Sequence, residues 1–125
     1  MRLAILAPLA LVACATTGDS NVAADAEFAK LTTGRVAGPV VDCVQQIQLD
    51  GMRLLGDRRL IARGGNRIWV NDLPESCPGV RSDSIPIIRT FNGEYCRNDQ
   101  FTPAAPNSIP GGSCRLGAFT PYTKN

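Results

Sequence analysis

Short apolar runs alternate with turn residues from Arg35 onward. Gly-Pro, Asp-Gly, Asn-Gly and Pro-Gly pairs separate these runs, and turn residues at this frequency are typical of an all-β domain. The clearest hairpin joins residues 59–63 to residues 67–71 through a Gly-Gly-Asn turn. Weaker strand candidates are residues 52–55, 98–102 and 115–119. Another is residues 85–91, an edge strand because Pro86 lacks an N–H, which is predicted to form a hairpin with residues 95–96 through a turn at Asn92-Gly93. The pattern predicts a mainly β domain over residues 35–125, either a small antiparallel sheet or a barrel-like fold.

The second strand of the predicted hairpin has apolar residues on both faces. Ile68 and Val70 point to one side. Trp69 points to the other side, together with Arg67 and Asn71. Trp69, the only tryptophan, is therefore either a core residue of the second face, which is the preferred interpretation, or an anchor for a ligand or partner.

The first residues of the chain have the order of an export signal. Arg2 supplies a positive charge, the run from Leu3 to Val12 is apolar apart from Pro8, and the small residue Ala13 follows. Ten apolar residues rise only about 15 Å as a helix, roughly half the hydrocarbon thickness of a bilayer. Residues 1–13 are therefore predicted to be a cleaved signal peptide rather than a permanent membrane span.

The junction Leu11-Val12-Ala13-Cys14 resembles the lipobox of bacterial lipoproteins. This resemblance implies that a diacylglyceryl group alkylates the sulfur of Cys14 and that a fatty acid such as palmitate acylates its amine after cleavage. Acyl chains contribute about 0.8 kcal/mol per buried methylene, so two or three chains give lasting attachment. Ala15, where an inner-membrane lipoprotein often carries Asp, implies the outer membrane, facing the periplasm. The alternative is an ordinary secretory signal that contains a cysteine.

Residues 14–34 comprise the lipidated cysteine and a segment rich in small and polar residues. A flexible chain of about 20 residues spans roughly 25 Å, which would lift a domain clear of the lipid headgroups. The patch from Val22 to Leu31 has a weak helical pattern. The segment is therefore predicted either as a tether or as a short helix that docks through Phe28 and Leu31.

Five cysteines occur in the chain. An odd number is unusual in an exported protein, but lipidation of Cys14 leaves four that can form two disulfides in an oxidising compartment. Four cysteines allow three connectivities, and the sequence does not decide among them. The sequential pairing is preferred, because each bond would then bracket one hairpin-rich half of the domain: Cys43–Cys77 and Cys96–Cys114.

The residues that usually carry metal and catalytic chemistry are scarce. The chain has no histidine and no C-x-x-C pair, so neither a zinc site nor a thioredoxin-like centre is predicted. The lack of histidine also removes Ser-His-Asp and Cys-His catalysis. Lys and Arg number 13 against 11 Asp and Glu, and the cations are scattered, so nucleic-acid binding is not predicted. No cofactor is implied.

Four arginines surround the predicted hairpin: Arg58, Arg59, Arg63 and Arg67. Arginine side chains pair with phosphate and carboxylate groups, so this region could contact an anionic component of the envelope. The preferred interpretation is a solvated face whose charges protect a strand edge. The candidate binding residues are Arg58, Arg63, Arg67 and Trp69.

Four cysteine-containing runs are distinctive: Val41-Asp42-Cys43, Trp69–Val80, Tyr95–Asp99 and Gly112–Phe119. Together with residues 55–61, they resemble a family of small four-cysteine proteobacterial lipoproteins that contain a domain of unknown function. The resemblance covers about residues 41–120. It implies an envelope address and disulfides, but no substrate and no catalytic residue.

The predicted function is that of a non-catalytic binding or structural module, whose partner is an envelope protein or polymer. One alternative is a periplasmic inhibitor that inserts the loop of residues 103–113 into the active site of a lysozyme or protease. The other alternative is a glycan hydrolase in which two carboxylates act as acid and base. The candidate acids are Asp50, Asp57, Asp72, Glu75, Asp83, Glu94 and Asp99.

Overall fold

The computed structural model describes residues 19–81, 83–90, 92–109 and 112–125. The predicted signal peptide (residues 1–13), Cys14 and residues 15–18 of the predicted tether lie outside these ranges. The described residues contain helix α1 (Asp19–Thr32), a short 3-10 helix (Gln46–Gln48) and ten strands. The strands are β1 (Arg35–Ala37), β2 (Cys43–Gln45), β3 (Asp50–Leu54), β4 (Arg59–Gly64), β5 (Arg67–Asp72), β6 (Ile85–Ile88), β7 (Glu94–Cys96), β8 (Gln100–Ala104), β9 (Cys114–Arg115) and β10 (Phe119–Lys124).

The strands form three antiparallel sheets, which confirms the predicted mainly β fold class. The largest sheet has five strands in the order β1-β10-β5-β4-β3. A three-stranded sheet has the order β6-β8-β9, and β2 pairs with β7 alone. The predicted hairpin is confirmed as β4–β5, with Ile61 opposite Val70 and Ala62 opposite Trp69. Its turn contains Gly65 at φ 63°, a conformation that glycine adopts without strain.

The predicted hairpin between residues 85–91 and residues 95–96 is wrong. Strand β6 lies at a sheet edge, as Pro86 predicts, but it pairs with β8, whereas β7 pairs with β2. Pro86 lies opposite Pro103, so neither residue of this cross-strand pair has a backbone N–H to donate. The candidate strand at residues 115–119 also divides, because β9 ends at Arg115 and β10 starts at Phe119.

The five-stranded sheet is buried on both faces, so it forms the middle layer of the domain. On one face, Ile61, Ile68 and Val70 pack with Leu55 and Ala24. The other face carries a larger cluster that also includes residues of the two smaller sheets: Val44, Leu54, Leu60, Ala62, Trp69, Cys77, Phe101, Cys114, Leu116 and Phe119. We call the first the helix face and the second the disulfide face.

Helix α1 covers the helix face, so residues 19–32 form a docked helix rather than a tether. Ala24 is 7% exposed, and Phe28 and Leu31 pack against the same cluster. These three positions are spaced four and three residues apart, which places them on one side of a helix. No helix in the described ranges is long and apolar enough to cross a membrane.

The two disulfides join Cys43 to Cys96 and Cys77 to Cys114, so the predicted sequential pairing is wrong. Cys43 and Cys96 lie directly opposite each other in the β2–β7 pair, with their Cα atoms 4.0 Å apart. Cys77 is 1% exposed and reaches Cys114 of β9 across 5.7 Å. Each bond thus joins the two halves of the domain, and the bond between Cys43 and Cys96 follows the non-local pairing of β2 with β7.

A buried asparagine joins β5 to the backbone of Gly117 on the disulfide face. Asn71 of β5 is 1% exposed and forms two hydrogen bonds with the backbone of Gly117. Its Nδ2 donates to the Gly117 carbonyl oxygen (2.8 Å), and its Oδ1 accepts from the Gly117 N–H (2.7 Å). A Cβ at residue 117 would collide with the carbonyl oxygen of Asp72, so this close approach requires glycine.

Candidate functional site

The four residues that the sequence proposes for binding do not converge. Trp69 is 8% exposed, and its indole lies against Gly64, so it is a core residue of the disulfide face. Arg67 is exposed at the turn end of the β4–β5 hairpin. Arg58 lies at the opposite end, just before β4, where its Nε donates to Ser76 Oγ over 3.1 Å. Of these four residues, only Arg63 lines the cleft between the last turns of α1 and the end of the five-stranded sheet.

A cleft of about 690 Å³ opens between the last turns of α1 and the end of the five-stranded sheet. Strand register explains its charge. Arg63 lies opposite Ile68, and Tyr122 also lies opposite Ile68, so all three belong to the helix face. Lys124 is two residues beyond Tyr122 and shares that face. Four cations line the cleft, which we call the basic cleft: Lys30, Arg35, Arg63 and Lys124.

The position of Arg35 in the basic cleft is fixed by backbone contacts. Its Nη1 donates to the carbonyl oxygen of Asn66 (2.7 Å) and to that of Tyr122 (3.4 Å). Arg35 is also the direct cross-strand partner of Lys124. Like charges directly opposite each other destabilise an antiparallel pair, so this pair of cations has a cost for the fold.

Apolar residues form the floor of the basic cleft. Leu31 of α1 and Ile68 of β5 line it. Both also line a neighbouring cleft of about 380 Å³, which continues along the sheet over Ile61 and Ala62. The surface thus offers apolar contact area below and cationic groups around the rim.

Two carboxylates lie beside these cations. Glu27 lines the basic cleft but forms an ion pair with Arg53 of β3. Asp50 is the cross-strand partner of Arg63, although no ion pair joins these two side chains. The basic cleft therefore keeps an excess of positive charge.

The other ion pairs of the described residues lie away from the basic cleft. Arg59 pairs with Asp25 and Asp72, and its guanidinium carbon lies 3.8 Å from the centre of the Phe28 ring. The remaining pairs are Arg81–Asp83 and Arg115–Glu75. Three of the candidate acids thus form ion pairs: Asp72, Glu75 and Asp83. A fourth, Asp99, accepts a hydrogen bond from the backbone N–H of Cys96.

A third cleft, of about 320 Å³, lies on the helix face beside the residues that follow β3. Asp57 lines it, and one carboxylate oxygen, Oδ1, is buried without a hydrogen-bond partner within the described part of the chain. Arg53 and Arg81 line the same cleft. A ligand with a hydrogen-bond donor would satisfy Asp57 Oδ1.

One group of potential metal-ligand atoms occurs among the described residues: Cys43, Glu94 and Cys96. Both sulfur atoms belong to the same disulfide, so neither can act as a thiolate ligand.

The predicted inhibitory loop starts later than expected, because Pro103 and Ala104 belong to β8. In the described part of that loop, Ile109 is 92% exposed.

Sequence reasoning missed three of the four cations of the basic cleft. Lys30 is in the last turn of a helix, Arg35 opens β1, and Lys124 closes β10. They are distant from Arg63 in the sequence, and only the register of β1, β10 and β5 brings them together. No sequence motif marks this arrangement.

The fold and its bonds define a small antiparallel β domain with one covering helix and two disulfides. Family models, curated proteins and solved structures were each compared with the chain, and none matches it.

Proposed function

We propose that this chain is a lipid-anchored lipoprotein of the bacterial cell envelope and acts as a non-catalytic binding module. The observation that carries the proposal is the Leu11-Val12-Ala13-Cys14 junction behind an apolar run of signal-peptide length. The disulfides support it, because they use the other four cysteines of the chain. Stable disulfides are typical of oxidising compartments outside the cytosol.

The start of α1 sets the distance between the domain and the proposed anchor. Asp19, the first residue of α1, follows Cys14 by five residues, so their Cα atoms can be at most about 18 Å apart. Because α1 is packed on the sheet, the folded domain would sit within this distance of the headgroups. That reach is shorter than the roughly 25 Å expected of a 20-residue flexible tether.

In this proposal Ala15 directs the lipoprotein to the outer membrane, where the domain faces the periplasm. The resemblance to small four-cysteine lipoproteins over about residues 41–120 supports the same address. The lack of histidine in the sequence supports a non-catalytic role, since histidine is the commonest general base. The partner is an envelope protein or polymer.

Two variants test the anchor. Cys14→Ser should abolish palmitate labelling and release the protein from the membrane fraction. Ala15→Asp should keep the label but move the protein from the outer to the inner membrane fraction, and it serves as the matched control for a change at the same junction. Unchanged labelling of Cys14→Ser would refute lipidation at this residue. Unchanged sorting of Ala15→Asp would refute the outer-membrane assignment alone.

A further inference from the structure

We propose that the basic cleft binds an extended polymer that carries carboxylate groups. The side chains that would contact it are Lys30, Arg35, Arg63 and Lys124. The assignment to an envelope polymer rests on the proposed function, whereas binding by the cleft itself rests on the charges and geometry of the domain.

Arg35 is tied to the backbone, but the other three cations of the basic cleft are not used in ion pairs that hold the described part of the fold together. Lys30, Arg63 and Lys124 are exposed, and none takes part in an ion pair among the residues that the structure describes. By contrast, Arg53 and Arg59 on the same face are paired with acids. The cleft cations repel one another, and an external anion bound among them would offset this repulsion.

The spacing of the cations fits several separate anionic groups better than one compact dianion. Arg63 is on β4, Lys124 on β10 and Arg35 on β1, and β5 lies between β4 and β10. Three strand-to-strand steps of about 4.8 Å spread these cations over roughly 14 Å. The C-terminal end of α1, which carries partial negative charge, also lies at the cleft and disfavours a concentrated anion. Carboxylates spaced along a chain match this distribution.

The position of the proposed anchor favours a polymer over the headgroups of the anchoring membrane. Cys14 precedes the N-terminal end of α1, whereas the basic cleft lies at its C-terminal end. A helix of 14 residues is about 21 Å long, so the cleft lies about one helix length from the start of α1, the end nearer to the proposed anchor. If the axis of α1 points away from the bilayer, the cleft lies about 21 Å farther from the headgroups than the start of the helix does.

The test compares two triple variants of the full lipoprotein, purified in a neutral detergent, for binding to poly-L-glutamate. The cleft variant is Lys30→Gln, Arg63→Gln, Lys124→Gln. The control variant is Arg58→Gln, Arg89→Gln, Arg97→Gln, which removes the same charge from exposed positions outside the cleft. Arg35 is left intact because it bonds the Asn66 carbonyl.

The cleft variant should lose affinity for poly-L-glutamate by about tenfold or more, and the control by less than about threefold. Polyphosphate and phosphatidylglycerol vesicles are the comparison ligands, and thermal unfolding of each variant checks its fold. An equal loss in both triple variants would reduce the effect to net charge and overturn the proposal. Tighter binding to polyphosphate or to vesicles, or no binding by the wild type, would also overturn it. These measurements do not depend on Cys14, so a failed anchor leaves their result intact.

Discussion

The two faces of the five-stranded sheet are closed in different ways. The helix face is covered by α1, which touches the sheet through Ala24, Phe28 and Leu31 and has no covalent link to it beyond the chain itself. The disulfide face is covered by the two smaller sheets, and the bond between Cys77 and Cys114 lies within its core. One domain thus combines a face held by non-covalent contacts alone with a face held by packing and a covalent bond.

The two faces differ because α1 and the two smaller sheets bury different amounts of apolar surface and differ in how stably they pair on their own. Helix α1 contributes one buried side chain, Ala24, and two partly buried ones. The disulfide face buries Phe101, Leu116 and Phe119 to 1% exposure or less, yet β2, β7 and β9 are only two or three residues long. Such short strands pair weakly on their own, so covalent bonds at Cys43–Cys96 and Cys77–Cys114 compensate for them.

Removing the disulfides should have the largest effect on stability. The bonds close loops with sequence separations of 53 and 37 residues. For loops of this size the chain-entropy model gives about 4 kcal/mol each. A Cys77→Ala, Cys114→Ala variant should lose roughly 1 kcal/mol more than Cys43→Ala, Cys96→Ala, because its sulfurs are buried in the core. Equilibrium unfolding in urea measures both losses.

Chain entropy alone would reverse the order of these two variants, since the Cys43–Cys96 bond closes the longer loop. A greater loss from Cys43→Ala, Cys96→Ala would therefore show that loop length outweighs burial. Unfolding of the wild type under a strong reductant is the control, because reduction should destabilise it by about the sum of both losses if the two bonds act independently.

Removing the aromatic contact of α1 should have a smaller effect. The Phe28 ring meets Tyr122 edge-on, with ring centres 5.8 Å apart, and lies below the Arg59 guanidinium. Phe28 is only partly buried, so Phe28→Ala should cost about 2 kcal/mol, below the 3–5 kcal/mol typical of a fully buried phenylalanine. Val22→Ala on the same helix, at a side chain that is 69% exposed, is the control and should change stability by less than about 0.5 kcal/mol.

Hydrogen exchange distinguishes local from global effects of Phe28→Ala. If α1 is held by non-covalent contacts alone, its amides should lose protection before those of β4 and β5 do. Equal loss of protection in the helix and the sheet would mean that the two faces unfold as one unit, and the contrast between them would then be wrong.

The sequence predicted those parts of the fold that depend on neighbouring residues. The β4–β5 hairpin was predictable, because its apolar residues alternate around a Gly-Gly-Asn turn and both strands are contiguous. The core position of Trp69, preferred over a binding role, follows from the same alternation. Helix α1 was predictable only as one of two alternatives, since its docking depends on the sheet that receives Phe28 and Leu31.

The remaining features depend on pairings between distant segments. Cys43 meets Cys96 because β2 pairs with β7, and no local pattern selects that pair over the hairpin expected between residues 85–91 and 95–96. The basic cleft likewise requires β1 to pair with β10 and β10 with β5. The sequence groups Arg58 with Arg63, although they lie at opposite ends of β4.

The smallest effect is expected from the exposed ion pair that links the two layers of the helix face. Glu27 of α1 pairs with Arg53 of β3, and their side chains are 44% and 45% exposed. Water and salt screen such a pair, so Glu27→Gln should lower the free energy of unfolding by less than about 1 kcal/mol. The loss should shrink further at high ionic strength.

A double-mutant cycle with Arg53→Ala isolates this interaction from other effects of the two substitutions. The coupling energy should be about 0.2–1 kcal/mol at low salt and close to zero at about 1 M salt. A salt-independent coupling above about 2 kcal/mol would mean that the pair is shielded from solvent when the protein is folded. The helix face would then depend on an electrostatic link as well as on packing, because Glu27 and Arg53 join α1 directly to the edge strand of the sheet.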